Sequence, residues 1–336
     1  MKIKLSTSEF NNSLKKLKEK YKLFAPVSLP YKGTYSDTDV IRYKEVDSID
    51  EIELNKKSNF SPKEIVLPIS QTLFYFTEDE FKEANQKYDK DILIFLRACD
   101  INGIKRIDQI YLKNGKEEDY FYKRIREKVK FILIGCSESF RNCFCVSMKS
   151  NKTDNYSIGL NLRNDEVQLH INDEEFINYF DGEAIDFEVD YVKENDISVS
   201  IDKNINPLKV SMDDMWKEYD DRCIACGRCN FVCPTCTCFT MQDIFYKENE
   251  NVGERRRVWA SCHVDGYTDM AGGHSFRKLR GDRMRFKTLH KIHDFNKRFG
   301  YQMCVGCGRC DDACPQYISF STCIEKVNDL VNKEEK

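Results

Sequence analysis

The sequence predicts an α/β or α+β domain over residues 1–207, followed by a mostly α-helical, cysteine-rich domain over residues 208–336. Three observations support this fold class. Two short apolar runs flank a segment of helical periodicity, a later stretch alternates apolar with polar residues, and the second half repeats one cysteine block. The chain has 336 residues and is 41% apolar, which is enough for a buried core in each of about two domains.

The first predicted element is a helix. Ser6 and Glu9 have the spacing of a capping box, and apolar residues recur at helical intervals over residues 10–21. The apolar runs 92–96 and 131–135 are too short to be buried helices, and the segment between them is long enough for a crossover connection. These runs are therefore predicted to be parallel strands of an α/β sheet.

Later segments complete both predicted domains. Residues 166–171 and 197–201 alternate apolar and polar side chains, as strands with one solvent-facing side do. The second domain is predicted to begin with a short helix over residues 212–219. A long stretch separates its two cysteine blocks, and residues 241–246 and 276–299 within that stretch have helical character.

Composition excludes several classes of function. The chain has 53 Lys plus Arg against 56 Asp plus Glu, and a net charge of −3 argues against nucleic-acid binding. The N-terminus lacks the apolar segment of a signal peptide, and no apolar run approaches the ~18 residues that span a bilayer. The protein is therefore predicted to be soluble and cytoplasmic, so its 16 cysteines are expected to be reduced and available for metal or redox chemistry.

Two cysteine blocks repeat the spacing C-x2-C-x2-C-x3-C-P, and both contain Cys-Gly-Arg-Cys. In two-cluster ferredoxins of this spacing, three cysteines bind one [4Fe-4S] cluster and the fourth binds the other. These cysteines are therefore predicted to bind iron as two clusters. The ligands of cluster 1 are Cys223, Cys226, Cys229 and Cys314, and those of cluster 2 are Cys304, Cys307, Cys310 and Cys233. Two zinc sites are the alternative, but zinc motifs pair C-x2-C with a distant second pair. The second domain is thus predicted to be ferredoxin-like with two clusters.

Four cysteines of the first domain form a third candidate site. Cys99 and Cys136 follow the two predicted parallel strands, at the sheet edge where open α/β sheets bind ligands. The loop that carries Cys143 and Cys145 could close over them, which would bring together enough thiolates for a third [4Fe-4S] cluster. Zinc ligation and a role as small buried apolar residues are the alternatives.

No catalytic site is expected on this chain. No G-x-G-x-x-G motif follows a predicted strand, and the sequence has neither a P-loop nor a convincing nucleophile and base pair. No ligand role is assigned to the remaining cysteines, which are Cys236, Cys238, Cys262 and Cys323. The chain is therefore expected to carry electrons, with substrate and flavin chemistry on other chains.

Further motifs lie outside the ferredoxin blocks, in residues 36–39, 67–76, 95–100, 143–145, 229–243, 259–262 and 306–312. With these stretches the chain closely resembles, over nearly its whole length, the iron–sulfur A subunits of anaerobic, NADH-linked sulfite reductases. That family belongs to a wider group with the β subunits of cytosolic [NiFe] sulfhydrogenases. The ferredoxin blocks alone are common to many proteins, whereas their combination with the early motifs is more specific.

The resemblance implies an electron-transfer subunit of anaerobic respiration. It implies that a flavin subunit takes electrons from NADH, that a sirohaem subunit reduces sulfite to sulfide, and that this chain relays electrons between them. A β subunit of a [NiFe] hydrogenase or sulfhydrogenase would have nearly the same cysteine pattern and is the alternative. A metal-stabilised module that binds nucleic acid is a third hypothesis, which the acidic balance of the chain disfavours.

Overall fold

The computed structural model describes residues 1–163, 165–247 and 249–334. Its strands, in chain order, are β1 (Lys2–Ser6), β2 (Tyr21–Leu29), β3 (Val40–Glu45), β4 (Ser70–Phe76), β5 (Phe81–Glu83), β6 (Asp91–Leu96), β7 (Val129–Ile134), β8 (Ile158–Arg163), β9 (Glu166–Ile171), β10 (Glu183–Ala184), β11 (Phe239–Tyr246) and β12 (Asn249–Trp259). They form two sheets of order β10-β1-β9-β8-β7-β6-β2-β3 and β11-β12-β4-β5.

The helices are mostly short and lie throughout the chain. The α-helices are α1 (Thr7–Lys20), α2 (Lys63–Val66), α3 (Ala98–Leu112), α4 (Tyr120–Arg126), α5 (Pro207–Met212), α6 (Lys217–Arg222), α7 (Arg228–Phe231), α8 (Arg280–Leu289), α9 (Phe295–Phe299), α10 (Arg309–Asp312) and α11 (Phe320–Glu334). Three 3-10 helices and one π-helix accompany them in the described chain, at Ile49–Glu51, Glu174–Tyr179, Asp214–Trp216 and His290–Asp294. No helix in the described ranges is long and apolar enough to cross a membrane.

The larger sheet is built around parallel strands, as the apolar runs predict. Strands β6 and β7 pair in parallel with Leu93 opposite Lys130, and β2 and β8 extend the parallel set on either side. Residues 92–96 are fully buried because both faces of the sheet are covered. Helix α1 packs on one face and α3 on the other, and each face has its own apolar core.

The capping box that opens α1 is confirmed. Glu9 N–H donates to Ser6 Oγ at 3.2 Å, and Ser6 N–H donates to the Glu9 carboxylate at 2.8 Å. These two bonds satisfy backbone donors that a helix start leaves free. The apolar stripe that follows, including Phe10 and Leu14, is completely buried against the sheet.

The second part of the chain is not mostly helical, so that expectation was wrong. Residues 241–246, predicted as helical, belong to strand β11, which pairs with β12 to form a hairpin. Side-chain pairs across the strands stabilise this hairpin: Arg255 donates two hydrogen bonds of 2.6 Å to the Asp243 carboxylate. Cross-strand pairing therefore overrides the local helical pattern. By contrast, residues 276–299 are largely helical, as predicted.

The hairpin also connects the two predicted domains. Strand β12 pairs with β4, which comes from the first predicted domain, and the four strands β11, β12, β4 and β5 form one sheet. The division at residue 207 stays a prediction.

A second correction concerns residues 197–201, which form no strand. Their backbone bonds to side chains instead of to a neighbouring strand: Val199 N–H donates to Ser147 Oγ at 3.1 Å, and the Ser200 carbonyl accepts from Asn328 Nδ2. The alternating apolar side chains pack into the core below the cysteine blocks. The alternation of apolar and polar residues thus reflects a segment with one buried side, but the backbone hydrogen bonds to a neighbouring strand that define a β-strand are not formed.

Candidate iron–sulfur sites

The two cysteine blocks fold into the same local structure. Ala225 and Gly306, which occupy equivalent positions, both have positive φ, at 57° and 64°. Their backbone N–H groups each donate to the first sulfur of their block, Cys223 Sγ or Cys304 Sγ, at 3.4 Å. Each block then turns at a second left-handed residue, Gly227 or Gly308, into a short helix, α7 or α10. The sequence repeat is therefore a structural repeat as well.

A first cavity is lined by the four cysteines assigned to cluster 1, Cys223, Cys226, Cys229 and Cys314. The backbone N–H of Ile318 donates to Cys314 Sγ at 3.4 Å. Two buried polar atoms at this cavity, His263 Nε2 and Asp311 Oδ2, have no hydrogen-bond partner among the described residues. Unsatisfied buried polar atoms are rare, and here they lie beside a cavity with four sulfur donors. A polar group that fills the cavity would fit this arrangement.

A second cavity is lined by the four cysteines assigned to cluster 2, Cys233, Cys304, Cys307 and Cys310. It also contains two lysines with almost completely buried side chains, Lys287 and Lys291. The Lys291 ammonium group donates to Cys233 Sγ at 3.4 Å and to Thr235 Oγ1 at 2.7 Å. Burial opposes the charge on Lys291, but the neighbouring sulfurs, Cys233 foremost, raise its pKa above the ordinary value. Buried cations here match the negative charge of a thiolate-bound cluster.

A third cavity is lined by the four early cysteines, Cys99, Cys136, Cys143 and Cys145. Cys99 is in the first turn of α3 after strand β6, and Cys136 follows β7, so both are at carboxyl ends of parallel strands. Lys57, Arg97 and Arg309 supply positive charge around them. Lys57 Nζ is 3.9 Å from Cys143 Sγ and 3.1 Å from the carbonyl oxygen of Cys307.

The three cavities form a row. The first and second share Cys229, Cys310 and Lys287 as lining residues, and the second and third share Cys307. The third is held to the second by direct contact, because the Cys143 thiol donates to the Cys307 carbonyl at 3.5 Å. Each of the predicted ligand sets therefore meets at one cavity, while their binding of iron stays a prediction.

A buried ion pair joins the third cavity to the second cysteine block. Arg309 donates to both oxygens of the Asp100 carboxylate, at 2.6 and 2.8 Å, and further to Ser58. Both charged side chains are almost fully buried. Arg228, the equivalent residue of the first block, is exposed. The identical Cys-Gly-Arg-Cys motifs gave no indication of this difference, because it depends on which surface each block packs against.

Two of the buried cysteines of the second cavity are stabilised as neutral thiols. Burial raises the pKa of Cys304 to about 11 and that of Cys307 to about 12. Iron binding would require their thiolate forms, and the positive charge of the metal would favour loss of these protons. In the described chain, no three His, Cys, Asp or Glu side chains converge around a single point as ligands of one metal ion do. A cubane cluster needs no such convergence, because each cysteine binds a separate iron atom.

The remaining cysteines lie outside these cavities. Cys323 is completely buried in the core beside α8, with its sulfur 3.3 Å from Thr288 Oγ1. Cys236, Cys238 and Cys262 lie at the base of the β11–β12 hairpin. Sequence reasoning did not single out Lys291, and the basic stretch that contains Lys287 gave no sign of which of its side chains turn inward.

Comparison with known proteins agrees with this arrangement. Residues 222–318 match the family model of a 4Fe-4S dicluster domain. The chain is 30% identical to the sulfhydrogenase 2 subunit beta of Pyrococcus furiosus over 349 aligned residues, which cover 97% of this chain and 98% of that protein.

A second relative shares a shorter region. It is subunit alpha 1 of the acetyl-CoA decarbonylase/synthase complex of Methanosarcina mazei, 26% identical over 155 residues, which cover 44% of this chain and 14% of that protein. No solved structure is significantly similar. The full-length match and the dicluster domain together establish that the chain belongs to the family of the sulfhydrogenase beta subunit and is an iron–sulfur electron-transfer subunit.

Proposed function

We propose that this chain binds three [4Fe-4S] clusters and relays electrons between a flavin-bearing, NADH-oxidising subunit and a catalytic subunit of the same complex. The observation that carries this proposal is the row of three cavities, each lined by all four cysteines of one predicted ligand set and each sharing residues with the next. A bound cluster supplies one-electron redox chemistry. The protein's part is to hold each cluster through cysteine sulfurs, surround it with buried charge and keep neighbouring clusters close.

The proposed ligand sets follow the cavities. Cluster 1 takes the first cavity, with Cys223, Cys226, Cys229 and Cys314. Cluster 2 takes the second, with Cys304, Cys307, Cys310 and Cys233, and cluster 3 takes the third, with Cys99, Cys136, Cys143 and Cys145. Backbone N–H donors at Ala225 and Gly306 stabilise the sulfurs of the first two sites, and such hydrogen bonds raise the reduction potential of a cluster.

The exposure of lining residues at the first and third cavities supports a relay that has one end at each of them. The first cavity reaches the surface, where Cys226 is exposed and Ile224 is 50% exposed. The third reaches the surface at Glu138, which is exposed. The second lies between them in the interior, lined by buried residues such as Lys291. We propose that one partner subunit docks near the first cavity and the other near the third, with cluster 2 connecting them.

Two terminal reactions are candidates. The early motifs and their resemblance to anaerobic sulfite reductases support a sirohaem partner that reduces sulfite to sulfide. The relative from Pyrococcus furiosus, a sulfhydrogenase beta subunit aligned over 97% of the chain, supports a hydrogenase or sulfhydrogenase partner. The relay itself is the same in both cases, because both reactions need electrons delivered one at a time to a second subunit.

Purification of the native complex under anaerobic conditions tests the relay and separates the two reactions. NADH is expected to reduce the clusters, and addition of the terminal acceptor is expected to reoxidise them. Sulfite-dependent reoxidation with sirohaem absorbance supports sulfite reduction, whereas co-purified nickel with hydrogen-dependent cluster reduction supports the hydrogenase alternative. Clusters that NADH does not reduce in the intact complex would contradict the relay.

A further inference from the structure

Two cysteines outside the three cavities meet at the base of the hairpin. Cys238 immediately precedes β11, and Cys262 follows β12. Strand pairing places Phe239 opposite Trp259, and Ala260 N–H donates to the Cys238 carbonyl at 2.9 Å. The chain then turns back after Ala260, which brings the two side chains together.

The side chains of the two cysteines are neighbours, and Tyr267 and Asn230 lie beside them. Hydrogen bonding from the Cys262 side chain, and after it from the Tyr267 hydroxyl and the Cys262 backbone, lowers the pKa of the Cys238 thiol. Asn230 Nδ2 contacts Cys262 Sγ at 3.1 Å. Cys262 is buried at 5% exposure, whereas Cys238 is partly exposed. The pair thus combines one accessible sulfur with one buried neighbour.

The charges on the pair follow from these contacts. The hydrogen bond from Cys262 is the main cause that lowers the pKa of Cys238 to about 6. The same bond is the main cause that raises the pKa of Cys262 above its ordinary value. Because Cys238 is partly exposed and Cys262 is buried, Cys238 is assigned as the attacking nucleophile and Cys262 as the resolving thiol, as in dithiols that exchange with disulfides.

We propose that Cys238 and Cys262 are a redox-active dithiol that a low-molecular-weight disulfide oxidises reversibly to an intramolecular disulfide. The Cys238 thiolate attacks one sulfur of the small disulfide, a mixed disulfide forms and one thiolate leaves. The Cys262 thiol then loses its proton and attacks Cys238 Sγ, which breaks the mixed disulfide and releases the second thiol. In total the Cys238 thiolate and the Cys262 thiol lose two electrons and one proton, and the small disulfide becomes one thiolate and one thiol.

The pair lies next to the second cavity but is separate from its ligands. Cys236, between Cys233 and Cys238, hydrogen-bonds to Cys233. The buried Lys63 ammonium group donates to the carbonyl oxygens of Cys236 and Asn230, at 2.9 and 3.0 Å. Asn230 also contacts Cys262, so the same lysine and asparagine hold the dithiol and the first cysteine block. Oxidation of the dithiol would therefore alter contacts next to the first cysteine block without removing a cluster ligand.

The test uses the full, iron-loaded chain under anaerobic conditions. After incubation with oxidised glutathione and an acid quench, thiol alkylation and peptide mass spectrometry are expected to show a Cys238–Cys262 disulfide, unchanged iron, and recovery of both thiols with dithiothreitol. In Cys262→Ser, glutathione is expected to remain bound to Cys238. In Cys238→Ser, Cys262 is expected to stay unmodified. Cys323→Ser is the matched control and should oxidise like the unsubstituted chain.

Several results would overturn the proposal. One is full alkylation of both thiols after treatment of the unsubstituted chain, which needs no variant to fold. Others are a disulfide that links Cys236 to Cys238, or one that forms only after iron is lost. A whole cluster's loss of iron in Cys262→Ser or Cys238→Ser would make that cysteine a ligand, which is incompatible with a free dithiol.

Discussion

Lys291 carries a positive charge into the interior, 3.4 Å from Cys233 Sγ. A cation beside a cluster stabilises the reduced state, which has one more negative charge. We expect Lys291→Met to lower the midpoint potential of cluster 2 on the order of 60 mV, the equivalent of a tenfold shift in a one-electron equilibrium. An EPR-monitored redox titration measures this change.

Lys291→Arg is the control for charge, because it keeps the cation at the same position. Lys326→Met is the control for a lysine away from the cysteine cavities, since Lys326 is paired with Glu218. Both are expected to shift the potential of cluster 2 much less. An unchanged potential in Lys291→Met, with full iron content, would contradict electrostatic tuning by this residue.

Arg309 differs from its repeat partner Arg228 only through packing. Substitution of Arg309 leaves the Asp100 carboxylate buried without its ion-pair partner, which costs about 3–5 kcal/mol in comparable sites. We expect Arg309→Met to lower the thermal midpoint strongly and Arg228→Met, at an exposed site, to change stability by less than ~0.5 kcal/mol. Anaerobic thermal unfolding of the two variants side by side measures the difference. Equal effects would contradict a structural role for the buried pair.

At the scale of elements, the loop that carries Cys143 and Cys145 packs directly on the second cysteine block. Phe144 N–H donates to the Gly306 carbonyl at 2.8 Å, and Ser150 Oγ donates to the Val305 carbonyl at 2.5 Å. The contact is close enough to require glycine. A Cβ at Gly308 would lie 2.2 Å from the Asn142 carbonyl oxygen. Through this contact, the first half of the chain packs against the second cysteine block.

Gly308→Ala is expected to separate these two elements. Gly308 and Gly300 both have positive φ, at 69° and 81°, so alanine is strained at either position. Only Gly308 has a neighbour within 4 Å of the added Cβ. We therefore expect Gly308→Ala to lose at least ~1 kcal/mol more stability than Gly300→Ala, because the overlap adds to the strain. Comparison of thermal midpoints and iron content checks this, and equal losses would argue against tight packing of the loop.

The hairpin shows why local patterns failed for one element. Residues 241–246 have a helical pattern, but the partner that decides their structure is β12, and β12 in turn pairs with β4 from far earlier in the chain. Arg257 on β12 is almost completely buried and donates to Asp119 at 2.7 Å, in the cap of α4. Such long-range pairing leaves no trace in a short sequence window.

At the scale of the whole molecule, the row of cavities predicts a count of clusters. We expect the chain to bind three [4Fe-4S] clusters and Cys99→Ser to bind two, because Cys99 lines only the third cavity. Iron and acid-labile sulfide per chain measure the loss. Reduced clusters that share lining residues are also expected to give coupled EPR signals, and Cys99→Ser is expected to simplify them.

Cys323→Ser is the control for that count, since Cys323 is buried in the core outside the cavities. Its iron content is expected to equal that of the unsubstituted chain. Unchanged iron in Cys99→Ser would remove the third cluster from the proposed relay and leave a two-cluster subunit.

The sequence by itself predicted the chemistry that is proposed for this protein. The repeated cysteine spacing predicts two clusters and their crossed ligand sets. The apolar runs at 92–96 and 131–135 predict the parallel strands that Cys99 and Cys136 follow. Both patterns are local, because a cluster loop and a buried strand are each specified within a few residues.

Tertiary structure alone decided how these parts meet. The order of the cavities, the burial of Arg309 but not Arg228, the inward position of Lys287 and Lys291, and the contact between Cys238 and Cys262 all depend on residues far apart in the chain. The physical reason is that burial and charge are set by packing partners. A sequence repeat can place the same motif twice, but only the surrounding fold determines which copy faces solvent and which is enclosed.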